Sequence, residues 1–300
     1  MARRQAKVCA ERPGVDLDAS MYPSFVSSIY AYVGRSSWIK AVGVREAWLL
    51  RKEGDRICCY GCPEGEIMYL SGLWCGDACS VGAGWEHGWN LLPKELRSLA
   101  SRIIVVSSRA DELVVASAAF LSRRTGYASN VVRWVRFIFK EGVSEDSVRR
   151  RALMLRSYQP RQLASVYGRL AEALKAGRSA WDKRFELLQV PYVGPKTADA
   201  VLLFTGYTSS VAPADTHLEK LARSMRIRRY LKPSKDVCLK YGPDCTSCRL
   251  SDECLSGIFV GMYDAGAGLI QTAAYIWGSL GRRLQTRLTQ VLKRYFSQRL

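Results

Sequence analysis

Proline is scarce in this 300-residue chain, at 10 residues, and neither an internal repeat nor a low-complexity stretch interrupts it. With 48% apolar and 24% charged residues, that profile excludes disorder and collagen-like repetition. Acidic residues are also short. The 27 Asp and Glu face 45 Lys and Arg, a formal charge of +18, which suits a polyanionic partner such as nucleic acid or an acidic membrane face. No apolar signal core opens the chain, because Arg3, Arg4, Lys7, Glu11 and Arg12 interrupt it. An intracellular location is therefore expected, with the ten cysteines holding metal or staying reduced. Long hydrophobic runs are nearly missing as well. Gly257 to Leu280 carries one formal charge, Asp264, but its five glycines, that Asp and Gln271 argue for a buried helix and against a membrane span.

What is present divides near residue 95. Upstream, Ala47 to Arg51, Arg56 to Tyr60 and Glu66 to Leu70 are short β-prone runs between turns, which predicts a small antiparallel sheet in an N-terminal β-rich domain, 1–95. Downstream the spacing becomes helical over Asp111 to Arg124, Ala128 to Lys140, Ser144 to Arg156 and Pro160 to Ala176. The predicted fold is mainly α, with a helical domain over 96–232, a cysteine-bearing loop over 233–256 and basic C-terminal helices over 257–300. The basic excess is concentrated: 18 Lys and Arg fall between Arg97 and Arg184, interleaved with Tyr127, Trp134, Tyr158 and Trp181. Such a surface can line a phosphate backbone, and on charge alone a solvated arginine-rich face fits equally well.

The stretch 187–205 predicts two helices around a tight turn. One helix ends at Val190, Pro191 and Gly194 turn the chain, and a second begins about Pro195, since proline is tolerated in a first turn. This helix-hairpin-helix presents backbone amides at a helix N-terminus, so Val193, Gly194 and Thr197 are candidates for gripping a DNA phosphate without reading base sequence. Lys196 lies in the first turn of the second helix, where the dipole disfavours an ammonium. Nineteen positions later, Asp215 precedes Thr216 and Glu219, whose spacing is that of a capping box. Asp215 is thus placed just before a helix, where it can point into a cleft beside the hairpin.

At Val190 to Ala198 and Ala214 to His217 the sequence resembles the helix-hairpin-helix DNA glycosylase superfamily, in its endonuclease III branch. Family members carry Leu-Pro-Gly-Val-Gly-x-Lys-Thr-Ala followed by Val-Asp-Thr-His. Two departures stand out: Tyr192 replaces the first hairpin glycine, and the Lys-to-Asp interval is longer by one residue. The resemblance implies Lys196 as nucleophile and Asp215 as the carboxylate that supports it. A lysine there implies strand cleavage as well as base removal. The amine attacks the sugar C1′, the damaged base departs, and the Schiff base acidifies the C2′ proton so that the 3′ phosphate is eliminated. Further upstream, Arg124 falls where the family places a glutamine that enters the space left by an extruded base; a phosphate-binding arginine is the alternative.

Cys238, Cys245, Cys248 and Cys254 lie within seventeen residues, with intervals of six, two and five. By spacing alone one tetrahedral zinc leads one iron-sulfur cube. Following a glycosylase hairpin, however, the pattern resembles the endonuclease III cluster and implies a [4Fe-4S] cofactor, with Lys240 and Arg249 on its loop facing DNA phosphate. Only 22 residues separate Asp215 from Cys238, fewer than the family pattern, and the helix from Ala265 to Leu280 is expected to supply the missing packing. A second group, Cys59, Cys62, Cys75 and Cys79 beside Cys58, resembles a zinc knuckle, with buried thiols or disulfides as the competing reading. The β region itself is similar in architecture to the sheet that precedes the helical domain in 8-oxoguanine and alkyladenine glycosylases.

The resulting expectation is a monomeric base-excision DNA glycosylase with lyase activity, acting on double-stranded DNA containing damaged or mismatched bases and nicking the strand by β-elimination. A monofunctional mismatch glycosylase and a noncatalytic DNA-binding protein of the same fold remain as alternatives.

Overall fold

The computed structural model describes residues 6–44, 47–79, 86–281 and 284–297. Five strands, β1 (Lys7–Glu11), β2 (Tyr30–Gly34), β3 (Ser37–Lys40), β4 (Leu49–Glu53) and β5 (Arg56–Tyr60), form an antiparallel sheet in the order β1-β5-β4-β3-β2. The β2–β3 hairpin turns on Arg35 and Ser36, both at positive φ (49° and 50°), the two-residue geometry whose twist matches the flanking strands.

Among the described residues, fifteen α-helices accompany the sheet. The N-terminal part holds α1 (Leu17–Met21), α2 (Glu66–Leu70), α3 (Glu86–Leu91) and α4 (Lys94–Ala100). The central part runs through α5 (Glu112–Leu121), α6 (Val132–Ile138), α7 (Glu145–Leu153), α8 (Tyr158–Lys175), α9 (Ala180–Gln189) and α10 (Pro195–Phe204). There follow α11 (Thr216–Ser224), α12 (Lys235–Tyr241), α13 (Leu255–Tyr263), α14 (Ala267–Leu280) and α15 (Leu284–Val291). No helix among the described residues is long and apolar enough to cross a membrane.

The four helices expected between Asp111 and Ala176 are present, whereas the strand expected over Glu66 to Leu70 is helical, as α2. The reason lies in what the run buries. Ile67 and Leu70, three apart, are buried while Met68 between them is exposed, a helical and not an alternating pattern. Glu66 is also buried, and its carboxylate accepts hydrogen bonds from Ser108 Oγ (2.6 Å) and the Ala110 amide (3.0 Å).

All five strands lie before the composition boundary near residue 95, but helices lie on both sides of it, α4 crosses it, and the core is shared. Buried apolar side chains of the sheet, such as Trp38, Leu50 and Ile57, are continuous with those of the helices, such as Val135, Leu203 and Ile270. Three contacts fasten the two parts. Lys40 of β3 and Asp111, which precedes α5, form a fully buried ion pair at 2.6 Å, with the ammonium over the Trp48 ring. Arg136 of α6 donates to the carbonyls of Ser28, Tyr30 and Phe296. Phe296, near the C-terminus, packs edge-on against Trp38 of the sheet. As expected for the segment from Ala265 to Leu280, α14 packs against α4 and α11, and it approaches α10 where Gly268 leaves room for Leu203.

Candidate active site and thiol cavity

The hairpin forms as its punctuation dictates. Ser179 and Asp182 make a reciprocal capping box at the start of α9, Val190 ends that helix, and α10 begins with Gly194 at its N-cap and Pro195 in its first turn. Val193 N–H donates to the Val190 carbonyl (3.3 Å), and Thr197 and Ala198 both donate to that of Gly194 (3.0 Å). The Val193 and Thr197 amides proposed for phosphate are therefore engaged inside the hairpin, and both side chains are buried. Tyr192, in the turn itself, is 53% exposed and at φ 65°. Its carbonyl accepts from Arg123 Nη1 (3.0 Å), while Arg123 Nη2 donates to Gln162 Oε1 (2.8 Å) and the guanidinium lies 3.8 Å from the Phe120 ring centre.

Lys196 and Asp215, separated by nineteen residues in sequence, line one cavity of about 530 Å³. That volume lies within the ~300–1,000 Å³ usual for small-molecule sites. Asp215 is itself the N-cap of α11, so the capping box expected at Thr216 and Glu219 is corrected: Thr216 is already the first helical residue. Asp215 Oδ1 accepts from the amides of His217 (2.9 Å) and Leu218 (2.8 Å), and Oδ2 accepts from Gln271 Nε2 (3.3 Å). The carboxylate is thereby fixed from two elements, α11 and α14. His217 lies edge-on to Tyr275 at 4.7 Å, in a space that Gly278 leaves open. Burial, joined by Lys220 and Lys196 and opposed by Asp215, lowers the His217 pKa, so the imidazole is neutral at pH 7.

The other walls come from far along the chain. Phe25 stands edge-on to Tyr127 (5.2 Å) and Phe204 (5.3 Å), giving an aromatic side, and Arg124 lies at the rim, exposed and at φ 53°. Gln271 and Tyr275 of α14 also line the cavity. Sequence reasoning missed Phe25, Gln271 and Tyr275 as site residues. The available signal was Gln271 itself, a polar residue in an apolar helix and only 5% exposed.

A second cavity, of about 150 Å³, is lined by the four free thiols of Cys238, Cys245, Cys248 and Cys254 together with Arg184, Leu231, Val237 and Leu250. Among the described residues no three Cys, His, Asp or Glu side chains stand close enough together to hold a single metal ion. Burial, only partly offset by Arg184, raises the Cys238 and Cys245 thiol pKa values. Arg184 of α9 donates to Asp199 Oδ1 of α10 (2.5 Å) and to the Pro243 carbonyl (2.7 Å), and its Nη2 lies 3.9 Å from Cys238 Sγ. Lys240 and Arg249 are both exposed, but the expected loop over 233–256 is partly helical, with Lys240 in α12 and Arg249 in the turn that follows Cys248.

The N-terminal cysteines do not form a zinc site. The β1–β5 register sets Cys9 opposite Cys58, and these two are joined by a disulfide. Adjacent strand residues point to opposite faces, so Cys59 turns the other way and bonds Cys62. Cys75 is disulfide-bonded too, and the Cys79 side chain lies outside the described residues. Sulfurs held in disulfides have no thiolate to offer a metal, which corrects the zinc reading of Cys59, Cys62, Cys75 and Cys79.

A helix-hairpin-helix thus accompanies the five-stranded sheet, with Lys196 in the first turn of the second helix and Asp215 lining the same cavity. Among solved structures, the chain is similar to the Clostridium acetobutylicum 8-oxoguanine glycosylase/lyase in complex with double-stranded DNA containing cytosine opposite 8-oxoG. Identity is 14% and the TM-score 0.58, over 88% of this chain and 91% of that one. It is similar also to MBOgg1 in complex with a low affinity DNA ligand, at 12% identity and TM-score 0.59, over 92% and 96% of the two chains. The apo form of the Clostridium acetobutylicum enzyme aligns over 91% of this chain with TM-score 0.54. No protein-family model and no curated protein matches the sequence. The fold is thus that of the 8-oxoguanine glycosylases, the likeness first visible in the N-terminal sheet.

Proposed function

We propose that this chain is a base-excision DNA glycosylase with lyase activity. The observation that carries the reading is the meeting of Lys196 and Asp215 in one cavity beside the hairpin. A target nucleotide rotated out of the duplex would place its base in that cavity, against the aromatic side formed by Phe25 and Tyr127. The Lys196 amine then attacks C1′ as the N-glycosidic bond breaks, the departing base takes the proton that the amine gives up, and the C1′–O4′ bond opens, with O4′ protonated by solvent, as the Schiff base forms. The Schiff base that results loses a C2′ proton, and the C3′–O bond to the 3′ phosphate breaks. Asp215, anchored through the α11 amides and Gln271, presents negative charge where positive charge develops on the sugar. The structural neighbours are described as 8-oxoguanine glycosylases, which makes 8-oxoguanine opposite cytosine the first lesion to test.

Duplexes carrying 8-oxoguanine, an oxidised pyrimidine, uracil or mismatched thymine, scored separately for base release and for nicking, decide the matter. Release and nicking should coincide on an oxidised base. Release without nicking would point to a monofunctional enzyme, and no release from any duplex would leave a noncatalytic DNA-binding protein.

The endonuclease III character of the chain rests on Cys238, Cys245, Cys248 and Cys254, which we assign to a [4Fe-4S] cluster; the single cavity they share supports this. Such a cluster would hold the segment that carries Lys240 and Arg249 in position toward DNA phosphate. Purified protein is expected to contain iron and acid-labile sulfide in equal amounts and to absorb in the visible. Cys245→Ser should lower both, and Cys58→Ser neither. Zinc in place of iron would overturn the assignment.

A further inference from the structure

The hairpin turn carries a residue that its backbone does not favour. At φ 65° the Cβ of Tyr192 crowds the following carbonyl, a conformation that glycine adopts freely. The ring is about half exposed and lies outside the buried core, with the Arg123 guanidinium 5.8 Å from its centre. The segment is not loosely held. Arg123 grips the Tyr192 carbonyl while fixed by Gln162 and stacked on Phe120, so the ring is presented from a rigid base. Retained strain at an exposed, well-anchored residue points to a ligand.

What that ligand is follows from the surroundings. Arg123 and Tyr158, itself half exposed, interact electrostatically beside the turn, and Arg124 leads from it to the cavity rim. Lys196 follows four residues after Tyr192 and must reach a sugar carbon. The strand bearing the target nucleotide therefore has to pass the hairpin turn. We propose that Tyr192 is a DNA-backbone contact, its ring lying against a deoxyribose of that strand and its hydroxyl donating to a phosphate oxygen. The inference rests on the glycosylase reading and adds to it a contact that the glycine of the family pattern cannot make.

Binding of wild type, Tyr192→Phe and Tyr192→Gly to a duplex with an abasic-site analogue, followed by fluorescence anisotropy across a salt series, tests it alongside thermal melting. Tyr192→Gly should melt no lower than wild type and bind about tenfold more weakly, with Tyr192→Phe roughly threefold weaker. The salt dependence should keep its slope, since a neutral hydroxyl releases no counterion. Unchanged affinity of Tyr192→Gly would overturn the proposal, as would a clear loss of melting temperature or a slope reduced by about one, which would trace the effect to folding or to a displaced arginine. If wild type releases base and Tyr192→Gly binds equally well, only this inference falls. If wild type fails to bind the duplex, the glycosylase reading falls with it.

Discussion

Lys196→Ala abolishes covalent capture of the protein on lesion-bearing DNA by borohydride and lowers nicking by roughly 10³-fold or more, the scale seen when a nucleophile is removed. The expectation is sharp because the substitution is structurally mild. Lys196 is the second residue of α10, half-buried, in a turn whose hydrogen bonds come from Gly194, Thr197 and Ala198. Alanine is the best helix former, so folding stability should move by no more than about 0.5 kcal/mol. Duplex binding should persist, because the Arg123 to Arg124 rim is untouched. Trapping that survives the substitution would remove the amine from the mechanism, and a collapse in melting temperature would make Lys196 structural. Asp215 allows no such clean test by alanine, because its Oδ1 caps α11; asparagine caps as well as aspartate and is the informative replacement.

The hairpin was legible in the sequence because its signals are local. Pro191, Gly194 and Pro195 fix a stop, a turn and a start within five residues, and the structure places α9 and α10 on either side of them. Lys196 and Asp215 were legible for a related reason, each being set by the helix terminus it occupies. The capping detail was not, because Asp215 and Thr216 are both good caps and which residue turns first depends on Gln271 reaching over from α14. The cavity walls were illegible in principle. Phe25, Tyr127 and Tyr275 become neighbours through packing between segments a hundred residues apart, and no local period encodes that. Disulfides were among the readings of the N-terminal cysteines, but the Cys9–Cys58 pairing was illegible for a topological reason. Cys9 meets Cys58 only because the first strand joins the far edge of the sheet beside the last one, an order that hydrophobic alternation does not specify.

The largest stability effect should come from Arg184, whose side chain is 1% exposed and faces Asp199, which is fully buried. Burial works against the guanidinium charge, but Asp199 and the nearby thiols outweigh it and raise the Arg184 pKa. Alanine at 184 would leave the Asp199 carboxylate inside α10 without its cation, and Asp199 Oδ2 already lacks a hydrogen-bond partner. Breaking a buried pair from one side costs about 3–5 kcal/mol. For a chain of this size that would lower the melting temperature by roughly 5–8 °C. Removing both charges, as Arg184→Met with Asp199→Leu, should recover most of the loss, since apolar replacement of a buried pair is often neutral. Recovery of melting must not bring recovery of iron. Only the arginine also holds the Pro243 carbonyl and approaches Cys238 Sγ, so the double variant should fold and yet retain less cluster. A double variant with full iron content would confine Arg184 to the hairpin. A single variant losing less than about 1 kcal/mol would show that α9 and α10 are held by their apolar contacts, with the ion pair incidental.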